Sequence, residues 1–185
     1  MMRTPGLLML MLMLMAVSAT IASCLAAPGT GPLANTDPGF SIGICGPAGV
    51  GESVSFGPAN WINPTAEPLT IDYLGLVDPD GVELVGAFVV PNPGDGHGGG
   101  AGIGASHGFP PEPYEGDTLS WDEQQSLPGA VLPPQVQMDL VIGVRHTRRD
   151  QGSASSLLVL YHSPSENFIY RLPARIELGS AAGCS

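Results

Sequence analysis

Six side chains able to ligate a divalent cation, Asp95, His97, His107, Glu112, Glu115 and Asp117, fall within residues 91–117, a stretch dominated by glycine and proline. Imidazole and carboxylate together suit a borderline divalent metal. A site also needs ligands oriented by a second shell of hydrogen bonds, and two histidines ten residues apart in a run holding Gly98-Gly99-Gly100 have no fixed geometry of their own. His97 and His107 are therefore weak metal candidates, and no resident cofactor is expected. His146 and His162 join them only if the fold brings the rings together. Asp72, Asp78, Asp80 and Glu83 form a second acidic group, which could take Ca²⁺. Asp78-Pro79-Asp80-Gly81 has the composition of a turn, which is reason enough for two of them.

Two glycine patterns overlap the same stretch. Gly104-Ala105-Ser106-His107-Gly108 has the spacing of a serine nucleophile raised on a strained turn from a buried strand into a helix. Neither neighbour is expected here, and the remaining 77 residues lack the strand–helix units that would deliver an acid and a histidine. Gly94-Asp95-Gly96-His97-Gly98-Gly99 fits a phosphate-binding turn, which has meaning only where it opens a helix; polyglycine follows instead. No catalytic residue is assigned, and the chain is read as non-enzymatic. It has no lysine at all, which excludes Schiff-base chemistry and the phosphate-cradling lysine of a P-loop.

Charge narrows the partners. Six arginines stand against 17 acids, and between residues 24 and 144 the only basic side chains are histidines. Nucleic acid is excluded as a partner, because binding it requires a basic surface to displace counterions. The basic residues after that point begin with Arg145, Arg148 and Arg149, a spot that reads either as a contact site or as a solvated turn.

The start of the chain carries an address. One arginine precedes an unbroken apolar run, residues 7–17, which with Ala19, Ile21 and Ala22 spans sixteen positions. That is the pattern of an export signal, and it is shorter than the ~20 residues a membrane-spanning helix usually needs. The run ends Ile21-Ala22-Ser23-Cys24, which resembles the lipobox of bacterial lipoproteins: an aliphatic residue, two small residues and a cysteine. The resemblance implies cleavage after residue 23, acylation of Cys24 and anchoring at the extracytoplasmic face of the membrane. More than one acyl chain on one residue satisfies the two-signal requirement for durable anchoring. An ordinary secretory signal cut near Ala26-Ala27, or an uncleaved helix, are the alternatives.

Three cysteines are an odd number for an exported protein. If Cys24 carries lipid, Cys45 and Cys184 are free to pair, in a compartment that permits it. Closing a loop of about 140 residues stabilises by at most roughly 5 kcal/mol in the chain-entropy view. Two unpaired thiols are the other possibility.

The elements that must position these groups are strands. Removing 23 residues from 185 leaves 162, enough for one domain. Residues 24–40, with Pro28, Pro32 and Pro38, read as a flexible linker spanning roughly 20 Å. From residue 41 to 185 the apolar period is two. It is clearest at Val136, Met138, Leu140, Ile142 and Val144, which predict a strand with one buried face. Residues 69–77 and 82–90 flank the Asp-Pro-Asp-Gly turn and predict a hairpin, as do 157–162 and 167–172 around Ser163-Pro164-Ser165-Glu166. Pro173 places the last strand, 175–178, at a bend or a sheet edge. Shorter strands are expected at 41–45, 52–56 and 130–132.

Seven or eight such strands imply an all-β, immunoglobulin-like sandwich with one long Gly/Pro-rich loop, residues 91–117, whose composition favours disorder. The expected function is a non-catalytic, membrane-tethered binding or accessory module of the cell envelope with an unidentified extracytoplasmic partner. A metal-handling envelope protein using the histidine loop is the rival.

Overall fold

The computed structural model describes residues 31–33, 42–93, 105–113 and 118–179. The expected export signal, Cys24, Asp95, His97, Glu115, Asp117 and Cys184 lie outside these residues.

Among the described residues the chain forms strands and one 3₁₀ turn, Trp121–Glu123. The strands are β1 (Ile42–Pro47), β2 (Ser53–Ile62), β3 (Leu69–Val77), β4 (Val82–Pro91), β5 (Ser106–His107), β6 (Gln125–Ser126), β7 (Val131–Leu132), β8 (Gln137–His146), β9 (Gly152–Ala154), β10 (Ser156–His162), β11 (Asn167–Leu172) and β12 (Ala174–Gly179). Eight of them have six residues or more and the other four two or three; the expected strand at 130–132 is among the short ones, as β7. They form a five-stranded sheet in the order β5-β2-β8-β4-β6, a four-stranded sheet β11-β10-β3-β7 and a three-stranded sheet β1-β12-β9. The fold is an all-β sandwich. One core takes Phe56 and Ile142 from the first sheet, Ile71 and Leu157 from the second, and Ile176 and Leu178 from the third.

Several expectations are corrected by pairing that sequence periodicity does not encode. β8 is buried on both faces rather than one. Met138, Leu140, Ile142 and Val144 enter the main core, while Val141 joins Phe88 and Val90 in a second apolar cluster beneath Phe109, Leu119 and Trp121. Val136, expected on the inner face, precedes the strand and is 37% exposed.

The residues around Asp-Pro-Asp-Gly do not form a hairpin. β3 pairs with β10 and β4 with β8, so the connection is an arch between sheets. The arch holds because its backbone bonds elsewhere: Asp80 and Ser153 exchange N–H···O bonds of 2.8 Å, and Thr147 N–H donates to Gly81 O at 3.0 Å. Asp78 (φ 50°) and Gly81 (φ 66°) make the turn in the left-handed region.

β10 and β11 do form the expected hairpin, with Ser163 N–H donating to Glu166 O at 2.8 Å. At Pro173 the chain leaves one sheet for another, and β12 lies between β1 and β9 rather than at an edge. The β1–β12 pairing is parallel, which joins the two ends of the described chain. β2 outlasts the five residues expected of it because a register shift between Phe56 and Ala59 carries Gly57-Pro58 past β8, accommodating a residue that has no N–H to give.

Two segments read as unstructured contain ordered parts. Within the long loop, residues 105–113 fold onto the outer face of the five-stranded sheet, where Phe109 lies so close to Gly86 and Gly143 that a Cβ on either would collide with its ring. Within the expected linker, residues 31–33 are described, and Leu33 is only 6% exposed in the main core.

Candidate functional site

At one side of the sandwich the arch leaves the edges of β3 and β4 facing each other. Residues 125–132 seal part of that opening. β6 pairs with β4 at Phe88 and Val89, β7 pairs with β3 at Leu69 and Thr70, and Leu127 N–H donates to Ala87 O at 3.0 Å while Ile71 N–H donates to Ala130 O at 2.9 Å. The strap reaches only as far as Ala87 on β4 and Ile71 on β3. Among the described residues, β3 from 72 to 77 and β4 from 82 to 86 have strand partners on one side only.

Between these edges lies a cleft of about 250 Å³, lined by Leu74, Leu84, Val85, Ala87, Leu127 and Pro128, with Asp72, Tyr73 and Gly86. Both flanking strands carry a bulge at this point. Asp72 is the extra residue of β3 opposite Leu160 and Tyr161, and Val85 is the extra residue of β4 opposite Val144 and Gly143. A bulge bends its strand and re-aims the extra side chain, which is how two edges that would otherwise run parallel come to line an opening. Tyr73 is 49% exposed, and its ring lies along β3 over Gly75, where any Cβ would strike it. Nδ1 of His162 lies 2.8 and 3.0 Å from the two carboxylate oxygens of Asp72. The cleft is thus an apolar slot with a carboxylate and a half-exposed phenol among its lining residues.

A second recess, about 360 Å³ and more polar, lies where the chain ends of β1, β8 and β12 meet, lined in part by Glu52, His107, His146 and Arg149. His146 is 2% exposed and bridges two loops: Nδ1 is 2.9 Å from Ala48 O and Nε2 is 2.6 Å from Asp150 O. Both partners are acceptors. A neutral imidazole has one N–H and serves one of them; only the imidazolium serves both. Glu52 is exposed and closes the turn before β2, accepting from Gly49 N–H at 2.7 Å.

The residues singled out in the sequence are dispersed. His107 is on β5, paired with Val54 and exposed; His146 is on β8 and His162 on β10. No group of three metal-binding side chains occurs among the described residues. Ser106 sits on an edge strand rather than a strand-to-helix turn, and its buried Oγ has no hydrogen-bond partner among the described residues, so no base is placed to take its proton. Cys45 lies on β1 and is disulfide-bonded; both other cysteines of the chain are outside the described residues.

The arginine spot resolves into pairs. Arg145 Nη1 meets Glu83 Oε1 at 2.7 Å, and Arg148 makes a two-pronged contact with Asp80, so basic residues late in the chain neutralise acids early in it. Arg149 has no ion-pair partner among the described residues and faces the polar recess.

Sequence reasoning missed the cleft: Asp72 stood out only as one of four acids able to take Ca²⁺ and Tyr73 only as part of an alternating strand, and the signal that matters, a bulge on each of two strands, depends on the register of their partners. The buried carboxylate of Asp139 was missed likewise. It lies on the outer face of β8, 2% exposed, accepting from Asn60 Nδ2 at 2.8 Å and Asn92 Nδ2 at 3.1 Å.

No protein-family model matches the chain, and neither does any curated protein or solved structure.

Proposed function

We propose that this protein is a non-catalytic, extracytoplasmic binding module of the cell envelope, exported on residues 1–23, held to the membrane by lipid on Cys24, and docking another envelope component in the lateral cleft. The cleft carries the reading. An apolar slot with one carboxylate and one phenol, flanked by strand edges without partners among the described residues, has the composition of a recognition site, in which apolar walls supply affinity and a few polar groups fix orientation.

The cysteines support the anchor. With Cys45 in a disulfide and Cys24 acylated, the partner is Cys184. β12 runs beside β1 as far as Gly179, level with Pro47, two residues beyond Cys45. The five further residues to Cys184 span up to ~17 Å, ample to turn back to Cys45.

Metabolic labelling with a palmitate analogue, together with photo-crosslinking from the cleft in intact cells, tests both halves. Label is expected on the wild type and not on Cys24→Ala; equal labelling of both returns the protein to the plainly secreted class. A crosslinked envelope component is expected for the wild type and not for Val85→Arg, which fills the cleft, and an unchanged crosslinking pattern removes the cleft from consideration.

A further inference from the structure

We propose that the occupant of the cleft is an extended, cationic segment of a partner protein, which adds as a strand to the free edge of β3 and places a lysine or arginine side chain against Asp72 and Tyr73. This rests on the cleft being a binding site and names what fills it.

The edge of β3 is the better template of the two. From residue 73 to 77 its register with β10 is unbroken, opposite residues 160 to 156, so its outward backbone groups keep regular strand spacing. β4 is interrupted by the bulge at Val85 midway along its free stretch. β7 already occupies this edge of β3 at Leu69 and Thr70 and then stops, because the strap crosses over to β4 at residues 127–129. An incoming strand continues the position that β7 begins, with main-chain bonds for affinity and the slot for side-chain selection.

The chemistry of the slot selects the side chain. Its walls, Leu74, Leu84 and Leu127 among them, suit the methylene stem of lysine or arginine, and the head group then emerges beside Asp72 and the Tyr73 ring. A cation is attracted by both the carboxylate and the ring face. Asp72 lies 2.8 Å from His162 Nδ1 and is still 45% exposed, so its carboxylate is open to a second partner. The surroundings agree in sign. The arch adds Asp78, Asp80 being held by Arg148, and the chain as a whole carries a formal charge of −11, which steers cations towards it. A second copy of this chain has no lysine to offer, and its Arg145, Arg148 and Arg175 are ion-paired; Arg149 and Arg171, which have no ion pair among the described residues, make self-association through the edge strand β11 the rival that sedimentation tests.

The test uses the isotope-labelled mature chain and synthetic nonapeptides alternating valine with lysine or arginine, valine with glutamate, or valine with glutamine, followed by amide NMR. Saturable shifts confined to residues 72–77 and 84–87 are expected for the cationic peptide alone, weakened about tenfold by Asp72→Asn and abolished by Val85→Arg. Thermal unfolding of each variant establishes that it is folded. If the glutamine peptide binds the same amides as tightly as the cationic one, the claim about charge is wrong while the cleft survives as a binding site. Failure of all three peptides to shift cleft amides at millimolar concentration overturns both. Shifts of the β3 edge that depend on protein concentration without peptide, with a dimer in sedimentation, make the edge a self-interface and overturn the proposal.

Discussion

The backbone N–H of Leu33 donates to the phenolic oxygen of Tyr161 at 3.1 Å, in the interior of the sandwich and 128 residues away along the chain. Tyr161 stacks on Phe168 with ring centroids 5.0 Å apart, and Gly31 lies so near that a Cβ there would overlap the phenol. The N-terminal segment is therefore part of the fold before β1 begins. Six residues separate Cys24 from Gly31. With lipid on Cys24, the domain is held within ~25 Å of the bilayer surface at full stretch, closer than an unstructured linker reaching residue 40 would allow.

This contact makes stability sensitive to alkali. Burial pushes the Tyr161 hydroxyl up from 10.0 to about 12; the Leu33 N–H opposes the shift and Tyr170 adds to it. The folded state keeps the proton that the unfolded chain loses from about pH 10. Stability from this group is thus complete below pH 10 and declines as pH rises through 12, by on the order of 2 kcal/mol. Urea denaturation at pH 9, 10.5 and 11.5 should show the fall for the wild type and a flatter profile for Tyr161→Phe. At pH 7 that variant is expected to be less stable by about 1–3 kcal/mol, because the Leu33 N–H is left buried without an acceptor.

Phe109 anchors the described part of the long loop by lying over Gly86 and Gly143, with its ring 5.5 Å from Phe88. Gly143→Val is expected to displace the ring and expose residues 105–113 to proteolysis while the main core persists. Phe109→Ala should do the same at a cost of about 1–3 kcal/mol, less than a fully buried phenylalanine because Phe109 is only partly covered. Limited proteolysis with mass mapping checks it, and an uncut loop in Phe109→Ala would count against the anchor.

His146 ties the β1–β2 turn to the loop after β8 through Ala48 O and Asp150 O. Replacing it with phenylalanine keeps the volume but removes the donors, so a loss of about 1–3 kcal/mol is expected. Faster hydrogen exchange should be confined to residues 48–52 and 147–151, a pattern that a general loosening of the core would not produce.

The arginine pairs should matter little to stability. Both Arg145–Glu83 and Arg148–Asp80 are about half exposed, and pairs of that kind are worth about 0–1 kcal/mol. Arg145→Gln is expected to leave the midpoint of thermal unfolding nearly unchanged and to remove part of its salt dependence. A large drop would show that the pair holds the strands together.

How far the sequence went depended on whether a feature was local. The strands at 69–77, 82–90 and 136–144 were legible because alternation, or a run of β-branched and apolar residues, reflects the burial of one strand alone, although the alternation at 136–144 did not reveal that β8 is covered on both faces. The Ser-Pro-Ser-Glu turn was legible because its hydrogen bonds close within four residues. The Asp-Pro-Asp-Gly turn was found but its consequence was misread: local composition specifies a reversal, whereas the choice between hairpin and arch depends on whether β10 and β8 outcompete β3 and β4 for each other. The partial order of the glycine-rich loop escaped for a similar reason, since Phe109 finds its site only where two glycines from different strands lie side by side.

By itself, then, the sequence determined the class of structure. Period two, turn chemistry, acidity and the want of lysine follow from residue types alone, and so does the expectation of export and of lipid on Cys24. The tertiary structure alone decided where the cleft lies. The cleft exists because a bulge in β3 and another in β4 meet where the strap between them ends, and each of these is a property of register between strands far apart in the chain, on which no single segment carries information.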